Sequence, residues 1–320
     1  MHRPVNQVES TRKHNNLSTE KEYMKAIYGH LGAMLVVAVW GTTFVSSKVL
    51  LNEGLMPADI FFARFLIAYL CMLAVSHRQF RTSSPADELC MAGLGVMGGS
   101  LYFLTENMAL MYSTSSNVSI LVSTTPLLTT LILSLFYRSE RMSRRQVAGS
   151  LIAFTGTVLV VLNGQYVLHL NPVGDTLALT ASLTWAFYSL LMRRVMNRYP
   201  TDVITRKVFG YGILTILPYY VFVEPLHTDL HIWLRPSVVA NIIFLGFIAS
   251  TCCYLLWNWV MKVVGAVKST NYIYFQTLVT MLAGAVVLGE CITLFGFTGA
   301  VVLILGMVMA LRMRRRKDAA

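Results

Sequence analysis

Ten apolar runs separated by short polar connections occupy most of the chain: residues 28–51, 57–77, 89–111, 114–137, 145–163, 174–194, 203–223, 237–261, 266–288 and 293–312. Each is near the ~20 residues that an α-helix needs to cross the hydrocarbon of a bilayer. Inside lipid only helices and closed barrels satisfy the backbone, and a barrel strand needs only about ten residues of alternating character. The pattern therefore predicts an all-α integral membrane protein with ten transmembrane helices. Residues 1–27 are polar and of mixed charge and read as a disordered arm, and residues 313–320 form a basic tail. A polar start that runs into a full-length span lacks the layout of a signal peptide, so no cleavage is expected.

Composition narrows the picture. With 55% hydrophobic residues, 13% charged residues and a mean hydropathy of +0.59, the chain suits lipid better than water. A net charge of +11 can signal a nucleic-acid partner, but here the basic residues sit in short clusters between apolar runs, which is how a membrane protein sets its orientation. The N-terminal arm, the even-numbered connections and the tail, counted with the bordering span-end residues Arg145, Arg193, Arg194 and Arg312, hold 20 lysines and arginines, whereas the odd-numbered connections hold only Arg235. Both termini are thus expected in the cytoplasm, with the lipid bilayer as partner and no nucleic acid. The five cysteines, Cys71, Cys90, Cys252, Cys253 and Cys291, have no metal-ligand spacing and no disulfide framework is expected. Neither a cofactor nor a metal is implied.

The chain also repeats itself. Residues 126–158 laid over 276–308 pair Leu128 with Leu278, Thr130 with Thr280, Glu140 with Glu290, Gly149 with Gly299, Gly156 with Gly306 and Val158 with Val308, all at one offset. Earlier matches at slightly shorter offsets are Trp40 with Trp185, Lys48 with Arg193, Pro57 with Pro200, Asp59 with Asp202 and Arg64 with Lys207. Two halves, residues 28–164 and 174–312, then hold five spans each. An odd number of spans starts the second half from the opposite face, so the predicted architecture is two inverted five-helix repeats.

Several stretches resemble the EamA-type transporters of the drug/metabolite transporter superfamily: WGTTFVSSK at 40–48, ENMALMYSTSSN at 106–117, TTPLLTTLILSLFYRSE at 124–140, TLALTASLTWAFYSLLMRR at 176–194, YLLWNWVMKVVGA at 254–266 and FQTLVTMLAGAVVLGECIT at 275–293. The resemblance runs through nearly the whole chain and implies a secondary transporter that moves a small metabolite, an amino acid or a drug-like compound, outward by alternating access. Two departures stand out. Gln276 occupies the ninth span where the family pattern usually carries proline, which removes an expected kink and adds a polar group at depth. The Leu-Gly-Glu box at 288–290 reads Arg138-Ser139-Glu140 in the first half.

Candidate chemistry lies in the polar residues within spans, where ionisable groups are costly and face a cavity or a partner. Arg64 lies seven residues past Pro57, about 10 Å into its helix at 1.5 Å per residue, and Glu106 lies at a matching depth in the third span. They read either as a structural ion pair or, with Lys48, as a carboxylate site beside a protonatable group. Snorkelling is the plainer account of Lys48. Aromatic and amide groups supply the remaining candidates for a cavity wall: Trp40, Tyr102, Asn107, Trp185, Tyr188, Tyr211, Trp257, Asn258, Tyr272 and Gln276. Glu140 and Glu290 sit just before Ser143 and Thr293, which read as helix caps. Small residues at 149, 153, 156, 299, 300 and 306 suit close helix contact, within one chain or between two, so a homodimer is compatible with the pattern. The rival functions are a membrane-embedded enzyme and a receptor or scaffold. All seven histidines lie in arms, loops or helix ends, and neither HExxH nor GxSxG occurs, so no catalytic residues are assigned.

Overall fold

The structure, a computed structural model, describes residues 5–77, 80–113, 115–138, 143–162, 171–288 and 293–311. Its helices are Val5–Asn52 (α1), Pro57–Val75 (α2), Pro85–Tyr112 (α3), Ser115–Val122 (α4), Thr125–Phe136 (α5), Arg144–Leu162 (α6), Pro172–Val195 (α7), Thr201–Phe222 (α8), the turn Leu230–Trp233 (α9), Pro236–Val264 (α10), Ala266–Thr270 (α11), Ile273–Leu288 (α12) and Leu294–Leu311 (α13). No strand occurs among the described residues. Prolines 57, 85, 172 and 236 open their helices, where the missing N–H costs nothing. Side-chain oxygens of Ser84 and Asn171 take the first free amides of α3 and α7.

Six helices among the described residues are long and apolar enough to cross a membrane: Met24–Asn52 within α1, α2, α3, Val118–Phe136 across α4 and α5, α10 and α13. The other four apolar runs are helical too, as α6, α7, α8 and the α11–α12 pair. Large apolar side chains such as Leu135, Val286 and Phe222 point outward, a surface made for lipid and not for water.

Two expectations need correction. The stretch 5–27, read as a disordered arm, continues α1 as helix. Once a span has nucleated a helix, extending it through lysine, glutamate and methionine is cheap. The ninth run does break despite lacking proline, between α11 and α12. Ser269, Thr270 and Asn271 turn their side chains onto the carbonyls of Gly265, Ala266 and Val267, competing with the regular ladder just where it stops. The matching break in the first half, between α4 and α5, precedes Pro126 and carries the same Ser/Thr bonding at Ser123, Thr124 and Thr125. Polar side chains thus do in one half what proline helps to do in the other.

The small-residue positions serve contact inside the chain. A Cβ on Gly149 would stand 2.4 Å from the Ala310 nitrogen, one on Gly156 2.3 Å from the Leu303 nitrogen and one on Gly306 2.2 Å from the Ala153 nitrogen. The order of these contacts makes α6 and α13 antiparallel, backbone against backbone. Ser143 and Thr293 cap the two helices as expected, accepting from Gln146 N and Gly296 N. Glu140, Glu290 and Cys291 lie outside the described residues, and the other four cysteines are free.

Candidate functional site

A cavity opens in the middle of the bundle. Trp40 and Thr43 of α1, Arg64 of α2, Tyr102, Phe103 and Glu106 of α3, Val122 and Thr125 at the α4–α5 break, Trp185 of α7, Tyr254 of α10, and Ile273 and Gln276 of α12 form its wall.

Its floor is aromatic. Trp40 lies 5.0 Å from Trp257, 5.4 Å from Trp185 and 5.8 Å from Tyr254, measured between ring centroids. The Trp40 indole N–H donates to the Ala249 carbonyl at 3.0 Å. By contrast, the Trp185 indole N–H is buried and has no hydrogen-bond partner among the described residues. Tryptophan keeps a polar handle on a large apolar body, so an unused handle in a cavity wall is a donor held ready for a ligand.

Arg64 supplies the charge. Its residue is 1% exposed, its guanidinium lies 4.2 Å from the Phe103 ring centre, and its Nε donates to Ser250 Oγ at 2.9 Å. The two Nη nitrogens make no hydrogen bond to the protein among the described residues. Glu106 accepts from the Tyr102 hydroxyl at 2.7 Å instead of from arginine. No ion pair within 4.0 Å joins Arg64 to Glu106, so the structural pair considered from sequence is not formed here. A guanidinium clamped through Nε and one face, with its fork toward open space, suits a planar oxyanion such as a carboxylate.

Six of the expected residues therefore meet at the cavity: Trp40, Arg64, Tyr102, Glu106, Trp185 and Gln276. The other seven do not line it. Lys48 donates to the Leu110 carbonyl at 2.6 Å, where a cation complements the C-terminal end of α3. Asn107 is fully buried and ties α3 to the Pro57 carbonyl at 3.2 Å. Tyr188 and Asn258 bond one another, and Asn258 reaches Thr205 at 2.9 Å. Trp257 backs Trp40 from behind, and Tyr272 bonds His30 at 2.7 Å. Tyr211 lies in a separate crevice, where it and Lys207 both donate to Glu88. These polar groups are deep because they tie helices together.

Tyr254 is the main omission from the sequence reading. It stands to α10 as Tyr102 stands to α3, so extending the repeat one helix further would have found it. Phe103, Val122 and Ile273 carry no polar or periodic signal that separates them from packing residues, and Thr43 and Thr125 are threonines of the kind a helix satisfies on its own carbonyls, here those of Trp40 and Val122.

At opposite ends of the bundle the two halves are tied by polar contacts. Where α1 finishes, Glu53 takes Arg235 Nη1 at 2.8 Å and the Ser237 hydroxyl at 2.7 Å, and Ser46 donates to Asn241 at 2.6 Å. Glu53 is held below the usual carboxyl range, first by the Ser237 hydroxyl and then by Arg235. At the other end Asp87 takes Arg198 at 3.0 Å and the Tyr199 hydroxyl at 2.9 Å, beside the Lys207–Glu88 pair.

Comparison with known proteins agrees with this picture. The EamA-like transporter family model matches residues 27–162 and again 172–312. A probable amino-acid metabolite efflux pump of Salmonella typhimurium is 28% identical over 295 residues, spanning 88% of this chain and 95% of that protein. An uncharacterized transporter of Archaeoglobus fulgidus is 25% identical over 287 residues, spanning 88% and 96%. A probable terminal-alkyne amino-acid exporter of Streptantibioticus cattleyicolor is 23% identical over 290 residues, spanning 90% and 95%. One solved crystal structure superposes with a TM-score of 0.71 at 20% identity, over 88% of this chain and 98% of that one, a likeness of fold alone. With the family model covering nearly all of both halves, the chain belongs to the EamA-like transporter family and is a multi-pass membrane transporter.

Proposed function

We propose that the protein exports a small carboxylate-bearing metabolite, an amino acid or a similar compound, across the bacterial inner membrane by alternating access. The observation that carries this reading is the fork of Arg64: a buried cation with two unpaired Nη nitrogens in an aromatic-walled cavity. The names of the relatives from Salmonella typhimurium and Streptantibioticus cattleyicolor support an amino-acid-like substrate. Trp185 N–H offers a second donor and Gln276 an amide, while the rings take up the apolar part of the molecule. Glu106, facing the same cavity, is the group proposed to carry a coupling proton.

In this reading all ten helical runs span the bilayer as two inverted repeats, with both termini cytoplasmic. The antiparallel seam of α6 and α13, and the meeting of the sequence-matched Trp40 and Trp185, support an approximate twofold axis through the centre. Substrate moves when contacts at one end part while those at the other hold.

Uptake into inverted membrane vesicles tests the proposal, with phenylalanine, leucine, cysteine and glutamate as probes and phenethylamine as the decarboxylated control. Transport of one or more of the four acids and exclusion of the amine are expected. Equal passage of phenylalanine and phenethylamine would rule out Arg64 as a carboxylate site.

A further inference from the structure

Two departures from the regular α-helical ladder interrupt the bundle: a kink at Gly99, within Val96–Ser100 of α3, and a π-helical stretch, Phe244–Cys252, in α10. They hold corresponding places in the two halves: Tyr102 follows the first by two residues, as Tyr254 follows the second. A π-turn adds a residue to the helical turn, loosens the regular ladder and frees carbonyls, and such turns concentrate at functional sites.

Each stretch is gripped from the opposite half. Trp40 of α1 donates to Ala249 O at 3.0 Å, and the Tyr254 hydroxyl of α10 donates to Gly98 O. Arg64 of α2 adds a third link, from Nε to Ser250 Oγ at 2.9 Å, with Ser250 fully buried. Within α10, Thr251 Oγ1 donates to Gly246 O at 2.9 Å, a five-residue spacing that matches the π register. A Cβ on Gly246 would stand 2.8 Å from Ile67, so the missing side chain lets α2 seat against the turn. One inserted residue rotates what lies on one side of it by about 100° against the other. The turn thus lets α10 present Ser250 to α2 while Tyr254 still faces the cavity.

We propose that Ser250 is the positioning residue for Arg64 and that, through it, the π-turn of α10 responds to whether the guanidinium is occupied. On the reading of Arg64 given under the proposed function, an incoming carboxylate takes the Nη edge while Ser250 holds Nε, so the guanidinium is aimed by one bond and occupied through the other. The filled guanidinium then ties the π-turn of α10, through Ser250, to the substrate.

Two measurements fail separately. Hydrogen–deuterium exchange of the ligand-free protein in detergent is followed at residues 244–254, with 296–308 as internal reference. Arg64→Lys, which lacks the Nε donor, and Ser250→Ala are each expected to speed exchange there by about tenfold, the loss of one hydrogen bond to a charged group. Ser250→Thr, which keeps the oxygen, is expected to hold the wild-type rate. Wild-type exchange in both Arg64→Lys and Ser250→Ala overturns the link between α2 and the turn, whatever the substrate.

Vesicle uptake of phenylalanine, leucine, cysteine and glutamate is the second measurement. Ser250→Ala is expected to raise KM by about tenfold for whichever probe the wild type carries, with the maximal rate and the amount of protein retained. Ser250→Thr restores KM, and Ser250→Ala adds nothing in an Arg64→Lys background. An unchanged KM in Ser250→Ala, or additive losses in the double variant, overturns the positioning role. Failure of the wild type to carry any of the four acids removes the carboxylate reading instead, and the exchange experiment still decides the link.

Discussion

Trp40 and Trp185 meet edge to face, 5.4 Å apart with 87° between their planes, in the helices that open the two halves of the chain. Alike in sequence position, they differ in bonding: the Trp40 N–H is satisfied by Ala249, and the Trp185 N–H has no partner among the described residues. Trp40→Phe therefore leaves a buried carbonyl short of a donor and is expected to cost about 1–3 kcal/mol of stability. Trp185→Phe is expected to be near neutral in stability and to weaken substrate affinity. Thermal unfolding in detergent, read beside KM, separates the two, and equal destabilisation by both substitutions would contradict the difference in bonding.

Arg64 and Glu106 share a cavity wall without sharing a bond. Arg64→Ala removes a charge-assisted fork worth about 1.5–3 kcal/mol, so uptake at low substrate is expected to fall at least about tenfold. Glu106→Gln keeps an acceptor for Tyr102 while removing the ionisable group. If Glu106 carries the coupling proton, uptake in that variant no longer responds to an imposed pH gradient. A wild-type response in Glu106→Gln would assign coupling elsewhere.

The α6–α13 seam leaves no room for a methyl group. Gly306→Ala would place a Cβ 2.2 Å from the Ala153 nitrogen, a collision with backbone that no rotamer relieves. Overpacking of this kind costs about 1–3 kcal/mol, read as a lower melting temperature and reduced yield of folded protein. Undiminished stability would mean the helices part freely.

Glu53 makes one end of the bundle sensitive to acid. Its carboxyl is depressed below the ordinary value of 4.5, chiefly by the Ser237 hydroxyl and then by Arg235. A depressed acid favours the folded state above its unfolded value and loses that contribution as pH falls through its folded value. The melting temperature of wild type is therefore expected to drop below pH 4.5 more steeply than that of Glu53→Gln, and parallel profiles would remove the carboxylate from the contact.

Much of the fold was legible in the sequence because lipid imposes a length and a polarity on each helix. The apolar runs, the caps at Ser143 and Thr293 and the close packing at Gly149, Gly156 and Gly306 all follow from local chemistry. The cavity was half legible. A polar residue inside a span marks a special position, but it does not say whether the partner is substrate or another helix: Arg64 has an open fork, while Asn107 is spent on a carbonyl. The π-turn of α10 left no mark in the hydropathy, since one extra residue shifts a helix face without changing its composition.

The glycine seam has a consequence for motion. Side-chain layers can slide or repack, but two backbones in van der Waals contact at Gly149, Gly156 and Gly306 have nothing to rearrange. In the alternating-access cycle proposed above, the seam is therefore the joint expected to stay fixed while the contacts at the Asn52 end and the Tyr199 end part in turn.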